Sequence, residues 1–164
     1  MYNFDNFWNS LNQIYNNNHI DFLYNQIKNA RKIIFVAKGR VGLVTKMFMQ
    51  RLIQTGHDCY FFEDLNLPRI NEKDLVIFVT ASGNTKSSKI YVEIAKACST
   101  KTLSITFNNE GEIPKLTDYK VVFNLNYQNS ENKAMYEIAF FYIFEKFVQE
   151  IILKKSNFIH TNME

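Results

Sequence analysis

The stretch VTASGNTKSS, residues 79–88, gathers Thr80, Ser82, Thr85, Ser87 and Ser88 around Gly83. Ahead of it DLVIF is an apolar, β-branched run of strand type. Behind it KIYVEIAKACS carries the spacing of an amphipathic helix. Hydroxyls set between a strand end and a helix start suit one of two tasks. They cap the helix, since Ser and Thr are good caps. Or Thr80, Ser82 and Thr85 offer donors to a ligand with three or four acceptor oxygens, a phosphate, with Gly83 tightening the turn and the first N–H groups of the helix behind them. A second stretch, AKGRVG at 37–42, has the same setting. It follows the apolar run KIIFVA and opens a helix, and Gly39 and Gly42 let backbone approach a ligand closely.

Those two stretches need a scaffold that brings them together. Apolar periodicity predicts helices over Phe4–Tyr15, Ile20–Asn29, Val41–Gln54, Thr85–Cys98 and Asn132–Lys154, with a short turn of helix at Ile113–Leu116. Strand-length apolar runs fall at 32–37, 59–62, 75–80, 102–107 and 120–125. Strands apolar on both faces that alternate with helices predict a three-layer α/β fold, with a five-stranded parallel sheet between helical layers. Right-handed crossovers give the order 2-1-3-4-5, flavodoxin-like, with N- and C-terminal helices added. In such a sheet ligands bind outside the carboxyl ends of the strands, where the order reverses. Here that is the gap between the first and third strands, the ends that carry AKGRVG and TASGNT.

The totals bound the rest. A chain of 164 residues predicts one domain, 1–164, with room for a real core. The net charge of +3 comes without a basic stripe, so nucleic acid is not an expected partner. Cys59 and Cys98 have no metal-type spacing and no disulfide framework, so no metal is expected and reduced thiols in a cytoplasmic protein are. The polar start MYNFDNFWNSLNQ lacks the pattern of a signal peptide. The longest apolar stretch, IAFFYIFEKFVQEII, is interrupted by Glu145, Lys146, Gln149 and Glu150, so no membrane span is expected. Phe140, Phe144, Phe147, Ile151 and Tyr136 recur at helical spacing there, a broad apolar surface of the kind that joins helices. It is read as core or as a subunit interface, and a homo-oligomer is the expectation that the second reading gives.

Along nearly its whole length the chain resembles the sugar isomerase (SIS) domain family, and within it the 6-phospho-3-hexuloisomerases. Their first loop, G-x-G-R-S-G-L-V, is matched by Ala37-Lys38-Gly39-Arg40-Val41-Gly42-Leu43-Val44, and their second, S-x-S-G-E-T, by Thr80-Ala81-Ser82-Gly83-Asn84-Thr85. The segment YFFEDLNLPRINEKDLVIFV with Pro68, the lead-in QIKNARKIIFVAKGR, and Tyr136-Glu137, where the isomerases have Phe-Glu, keep the same order. The resemblance implies that Gly39, Arg40, Thr80, Ser82, Gly83, Asn84 and Thr85 hold a sugar phosphate. It also implies a homo-oligomer, a tetramer, and proton transfer between neighbouring carbons of an open-chain sugar, with no redox cofactor and no metal. The chain departs from the pattern at Ala37, Val41, Gln54, Leu67, Asn84 and Asn132-Lys133-Ala134. The phosphate loops are therefore better kept than the groups around the reacting carbons.

Shifting a carbonyl along a sugar needs a base near the carbon-bound proton and stabilisation of the enediolate oxygen. Glu137, at the start of an apolar helix, is the first candidate base, against the plain alternative of an acidic residue in a helix's first turn. His57 is the second candidate, through a neighbouring subunit's site, against that of a polar turn residue. Arg40 faces the phosphate or the sugar oxygens, or solvent. Lys38 and Lys86 add positive field beside the loops, and Glu63 and Asp64 are placed to meet sugar hydroxyls. His19 and His160 receive no role. Three functions compete: a phosphosugar isomerase, a non-catalytic sensor of a sugar phosphate, and a nucleotide-binding flavodoxin-like protein. AKGRVG fits the last poorly, because G-x-G-x-x-G is not matched.

Overall fold

A computed structural model of the chain describes residues 4–14, 17–125 and 135–161. In chain order the elements are α1 (Phe4–Ile14), α2 (Asn17–Asn29), β1 (Ile33–Val36), α3 (Gly39–Gln54), β2 (Cys59–Phe61), β3 (Leu75–Thr80), α4 (Lys86–Ala97), β4 (Lys101–Thr106), α5 (Glu112–Leu116), β5 (Tyr119–Val122) and α6 (Tyr136–Thr161). The five strands are parallel and ordered β2-β1-β3-β4-β5, the predicted order. Chain direction therefore reverses its progress across the sheet between β1 and β3, and the carboxyl ends of those two strands open a crevice.

The central strands are apolar on both faces because both are covered. One face packs on α1, α2, α3 and α6 through a large cluster that includes Leu11, Leu23, Phe35, Phe48, Phe140, Phe144 and Phe147. The other packs on α4 and α5 through Ile34, Val36, Val76, Phe78, Val92, Ala95 and Ile113. Phe48 of α3 stacks on Phe144 of α6 at 4.2 Å and 7°. Such an aromatic pair adds about 0.5–1.5 kcal/mol beyond its area burial. It also fixes α3 against α6, so their first turns sit beside each other at the crevice.

β4 differs from its neighbours. Leu103 and Ile105 join the larger core, while Thr102, Ser104 and Thr106 are equally buried on the opposite face. Their hydroxyls are satisfied there: Thr102 donates to Asp118 Oδ2 (2.7 Å), Thr117 donates to Ser104 (3.0 Å), and Thr106 donates to the Ala81 carbonyl (3.3 Å). At the amino ends of the strands, Arg31 grips the buried Asp74 with two hydrogen bonds of 2.9 and 2.7 Å. That fork ties the start of β1 to the start of β3, which pair from Ile33↔Leu75, and so brings their far ends level.

Several boundaries differ from the sequence expectation, each for a physical reason. α3 starts at Gly39 rather than Val41, because Gly39 takes φ +56° and turns the chain straight from the strand into the helix. α2 starts at Asn17, inside the NNN run, rather than at Ile20. β5 ends at Val122 rather than Leu125, because β4 stops at Thr106 and leaves the chain beyond without a strand to pair with. α6 continues past Lys154 to Thr161, since neither Gly nor Pro follows to stop it, so the backbone of His160 is helical rather than a tail. The expected start of that helix, Asn132, lies outside the described residues. The stripe of Tyr136, Phe140, Phe144, Phe147 and Ile151 is used within the chain, buried in the core, and so supplies no subunit contact. Among its described side chains, the apolar ones that α6 leaves exposed are Ile138, Phe141, Ile152 and Leu153.

Candidate functional site

The crevice at the carboxyl ends of β1 and β3 holds a cavity of about 300 Å³ lined by Lys38, Val41, Val79, Thr80, Ala81, Ser82, Thr85 and Tyr136. Lys38 and Val41 come from the stretch after β1, the next five from β3 and the hydroxyl loop, and Tyr136 from the first residue of α6. The two loops singled out in the sequence do face each other. A roomier cavity of about 390 Å³ lies at the amino ends of the strands around Arg31, Lys73 and Asp74. Its principal charges, Arg31 and Asp74, already pair with each other, and parallel sheets of this topology bind ligands at the opposite edge.

The hydroxyl loop is shaped by its own side chains. The Gly83 N–H donates to Thr80 Oγ1 at 3.1 Å, and Thr80 Oγ1 lies 3.1 Å from Thr85 Oγ1. The Asn84 N–H donates to Ser82 Oγ at 3.2 Å. Accepting that bond leaves the Ser82 proton to give, since a hydroxyl is one donor and two acceptors. Thr85 occupies the N-cap position of α4 yet makes no side-chain cap bond, and Lys38, at the N-cap of α3, makes none either. Helix capping therefore does not explain the hydroxyls, and the N–H groups and positive dipole ends of both helices open at the crevice.

A third loop, between β4 and α5, holds the hydroxyl loop in place. Asn108 Nδ2 donates to the Ser82 carbonyl at 2.9 Å, and the Ile113 N–H donates to the Gly83 carbonyl at 2.8 Å. Gly83 has φ +69°, and a Cβ there would meet Gly111 Cα at 2.9 Å. The two glycines let two backbones touch. Asn84 turns out of the crevice, its Oδ1 accepting the Glu112 N–H at 3.0 Å. Sequence reasoning missed Asn108 and Gly111. The signal was present: NNEG follows an apolar strand, the same strand-end setting that marked the other two loops.

Glu137 and Arg40 meet, with Arg40 Nε 3.1 Å from Glu137 Oε1. The Arg40 side chain is 70% exposed and that of Glu137 only 19%. Neither side chain lines the cavity, but the carboxylate lies in the first turn of α6, one residue after the lining residue Tyr136. His57 does not join this group. It lies in the turn before β2, at the amino ends of the strands, with Nδ1 3.0 Å from Thr55 Oγ1 and 3.3 Å from the Leu52 carbonyl. Asp64 serves its own turn, accepting the Phe61 N–H at 2.7 Å. Lys86 is exposed and absent from the cavity lining.

Glu63, after β2, pairs with Lys38 and accepts the Tyr91 hydroxyl at 2.8 Å, while the Lys38 ammonium lies 5.1 Å above the Tyr91 ring. The hydrogen bond from Lys38, and then that from Tyr91, hold Glu63 below the usual carboxylate range. The bond to Glu63 raises Lys38 above the ordinary lysine value, and the bond to Glu63 likewise raises Tyr91.

Residues 26–142 match the sequence profile of the SIS domain. The chain belongs to the SIS domain family. Within 114 aligned residues it is 32% identical to the 3-hexulose-6-phosphate isomerase of Bacillus subtilis, a match that covers 66% of this chain and 62% of that relative. Among solved structures this SIS domain is similar to a hypothetical protein of Methanococcus jannaschii whose structure was taken to infer a 3-hexulose-6-phosphate isomerase function. The TM-score is 0.78 at 23% identity, over 90% of this chain and 85% of that one. It is also similar to the NanR protein of Vibrio vulnificus complexed with ManNAc-6P, with a TM-score of 0.73 at 18% identity, over 92% and 59%. At these identities the structural likeness speaks for the fold alone. No described helix of this SIS domain is long and apolar enough to cross a membrane.

Proposed function

We propose that the chain is a single phosphosugar-binding SIS domain and a sugar-phosphate isomerase that moves a carbonyl by proton transfer through an enediol. The observation that carries the reading is the hydroxyl loop. Thr80, Ser82 and Thr85 gather in one crevice at the start of a helix they do not cap. Hydroxyl donors, helix N–H groups and the dipole end converge there, as a phosphate group requires. Gly39, at the start of α3, supplies the second N-terminus, and membership of a family that includes 3-hexulose-6-phosphate isomerases supports the substrate class.

The chemistry follows from what lies beside the cradle. With the phosphate held at the Thr80–Thr85 loop, the sugar runs toward the first turns of α3 and α6. Glu137 takes the proton from the carbon next to the carbonyl. The electron pair moves into the new C=C bond, and the carbonyl oxygen becomes an enediolate that a guanidinium stabilises. We assign that role to Arg40, whose exposed side chain can swing from Glu137 to the developing negative oxygen. The hydroxyl proton on the carbon that lost its hydrogen passes to that oxygen, and Glu137 returns its own proton to the former carbonyl carbon, so that the C=C electrons go to that carbon and the carbonyl stands one position along.

The test is proton exchange by NMR in D2O with ketose and aldose phosphates, 3-hexulose 6-phosphate first. Exchange of the proton next to the carbonyl, with product signals, is expected, and Glu137→Gln abolishes both while leaving binding intact. A second reading, a non-catalytic sensor, is favoured by one observation: Val41 places an apolar side chain in the cavity lining close to the Arg40–Glu137 pair. Saturable binding of a sugar phosphate without exchange for any member of the panel selects the sensor and refutes the isomerase.

A further inference from the structure

Lys38 is the one cation among the described residues that line the crevice, yet its charge is spent elsewhere. In the sheet order β2-β1-β3, Glu63 follows β2 and the hydroxyl loop follows β3, on opposite sides of β1. The Lys38 ammonium is drawn to the β2 side by Glu63 and by the Tyr91 ring, away from Thr80, Ser82 and Thr85. Glu63 is not itself part of the cavity lining. We propose that Lys38 is a phosphate-binding side chain held in reserve by Glu63 and Tyr91, and that an arriving phosphate dianion displaces the Glu63 carboxylate and brings the ammonium into the cradle.

Five features make the exchange physically reasonable. The ion pair is open to water, with side chains 31% and 50% exposed, so it is weak and easily given up. A dianion at short range attracts the ammonium more than one carboxylate charge does. Lysine carries its charge on a flexible four-carbon stem, and Lys38 stands directly before Gly39, which has open space where a Cβ would be. Glu63 keeps its bond from the Tyr91 hydroxyl when Lys38 leaves, so the carboxylate is not stranded. The hydrogen bond to Glu63 raises Lys38 above the ordinary lysine value, so the side chain is charged when the ligand arrives.

The inference rests on the phosphate-site reading and is tested beside it by titrating inorganic phosphate, at low ionic strength, into five proteins. These are the wild type, Ser82→Ala/Thr85→Ala, Lys38→Met, Glu63→Gln and Lys38→Met/Glu63→Gln. Removing the competitor in Glu63→Gln tightens phosphate binding about two- to fivefold, the reach of an exposed ion pair. Removing the cation in Lys38→Met weakens it about tenfold, as losing one charge-assisted bond does. The double variant is decisive: it binds as Lys38→Met alone does, because Glu63 acts only through Lys38. Should Glu63→Gln leave affinity unchanged, or bring the same gain with and without Lys38, the latch is wrong and the carboxylate acts only by its general field. Wild-type protein that does not bind phosphate, or binds it equally after Ser82→Ala/Thr85→Ala, overturns the phosphate-site reading itself and the latch with it.

Discussion

Gly111→Ala is the sharpest test of how the hydroxyl loop is held. Gly111 touches no proposed ligand and has ordinary angles, φ −63° and ψ 158°. Alanine there suffers no backbone strain, and taken alone it would stabilise the fold by about 0.4–1 kcal/mol by stiffening the unfolded chain. The new Cβ, however, would stand 2.5 Å from Gly83 Cα and 2.8 Å from the Gly83 carbonyl carbon and oxygen. Carbon atoms pack comfortably near 3.5 Å, so the two loops must part by about 1 Å. That movement pulls on the Ile113 N–H bond to the Gly83 carbonyl and on the Glu112 N–H bond to Asn84. Overpacking of this kind costs about 1–3 kcal/mol, more than the gain in the unfolded state. A displacement of about 1 Å also misaims the donors of the loop, which is worth on the order of 100-fold in rate. Thermal melts measure the first effect and turnover of the sugar phosphate the second, and phosphate titration reads the hold on the ligand directly. For the melts alone Gly39→Ala is the control, because its φ of +56° comes with open space and so carries only the left-handed penalty of about 1–2 kcal/mol. Wild-type phosphate affinity in Gly111→Ala would refute the claim that the β4–α5 loop positions the cradle.

Other perturbations give separate readings. Ser82→Ala with Thr85→Ala is expected to weaken sugar-phosphate binding about 100-fold, two donors being lost at about 1.5 kcal/mol each, with only a small change in melting temperature; calorimetric titration checks it. Burial, with a smaller contribution from Asp58, pushes the Cys59 thiol up to about 12 from an ordinary value of 9.0. The unfolded chain therefore ionises first, and the stability from this thiol is whole below pH 9 and is lost as pH rises from about 9 toward 12. Denaturant titrations of wild type and Cys59→Ala across that window should diverge, the wild type falling more steeply. Leu43 and Met47 of α3 and Ile138 and Phe141 of α6 are exposed apolar side chains. Light scattering is expected to find an oligomer, and a monomer would contradict the reading that another subunit covers them.

The scaffold was legible because its signals are redundant. IIFV and LVIFVT are too short and too β-branched for helices, and the intervening amphipathic segments fix both helical layers. The crevice was legible too, since strand ends and helix starts with glycine and hydroxyls coincide at Gly39 and at Thr80–Thr85. What could not be read were bonds made across loops. Nothing in the order of residues says that Asn84 turns to Glu112, or that Gly83 rests on Gly111. His57 lies before a strand, at the amino edge, so this chain's own fold does not bring it to its crevice, and a role for it would have to run through a neighbouring subunit's site. The stripe on α6 fitted either the core or a subunit interface, and the structure shows the core. Amphipathicity tells that a face is buried, not whether the covering surface is the same chain.

The buried hydroxyls of β4 bear on how the chain finds its pairing. A slip of one residue turns every side chain of a strand to the other face. In β1 and β3 such a slip exchanges one apolar side chain for another, so polarity alone does not distinguish right from wrong alignment. In β4 it would set Leu103 and Ile105 against Asp118 and Thr117, and push Thr102 and Ser104 among the phenylalanines. β4 is thus the strand that indexes the sheet, and alternative alignments of its neighbours are rejected through it. Replacing a buried hydroxyl and its partner together by apolar groups of the same shape is nearly neutral for stability. The worth of Thr102, Ser104 and Thr106 therefore lies less in strength than in uniqueness: they give a sheet of interchangeable aliphatic strands a single reading frame.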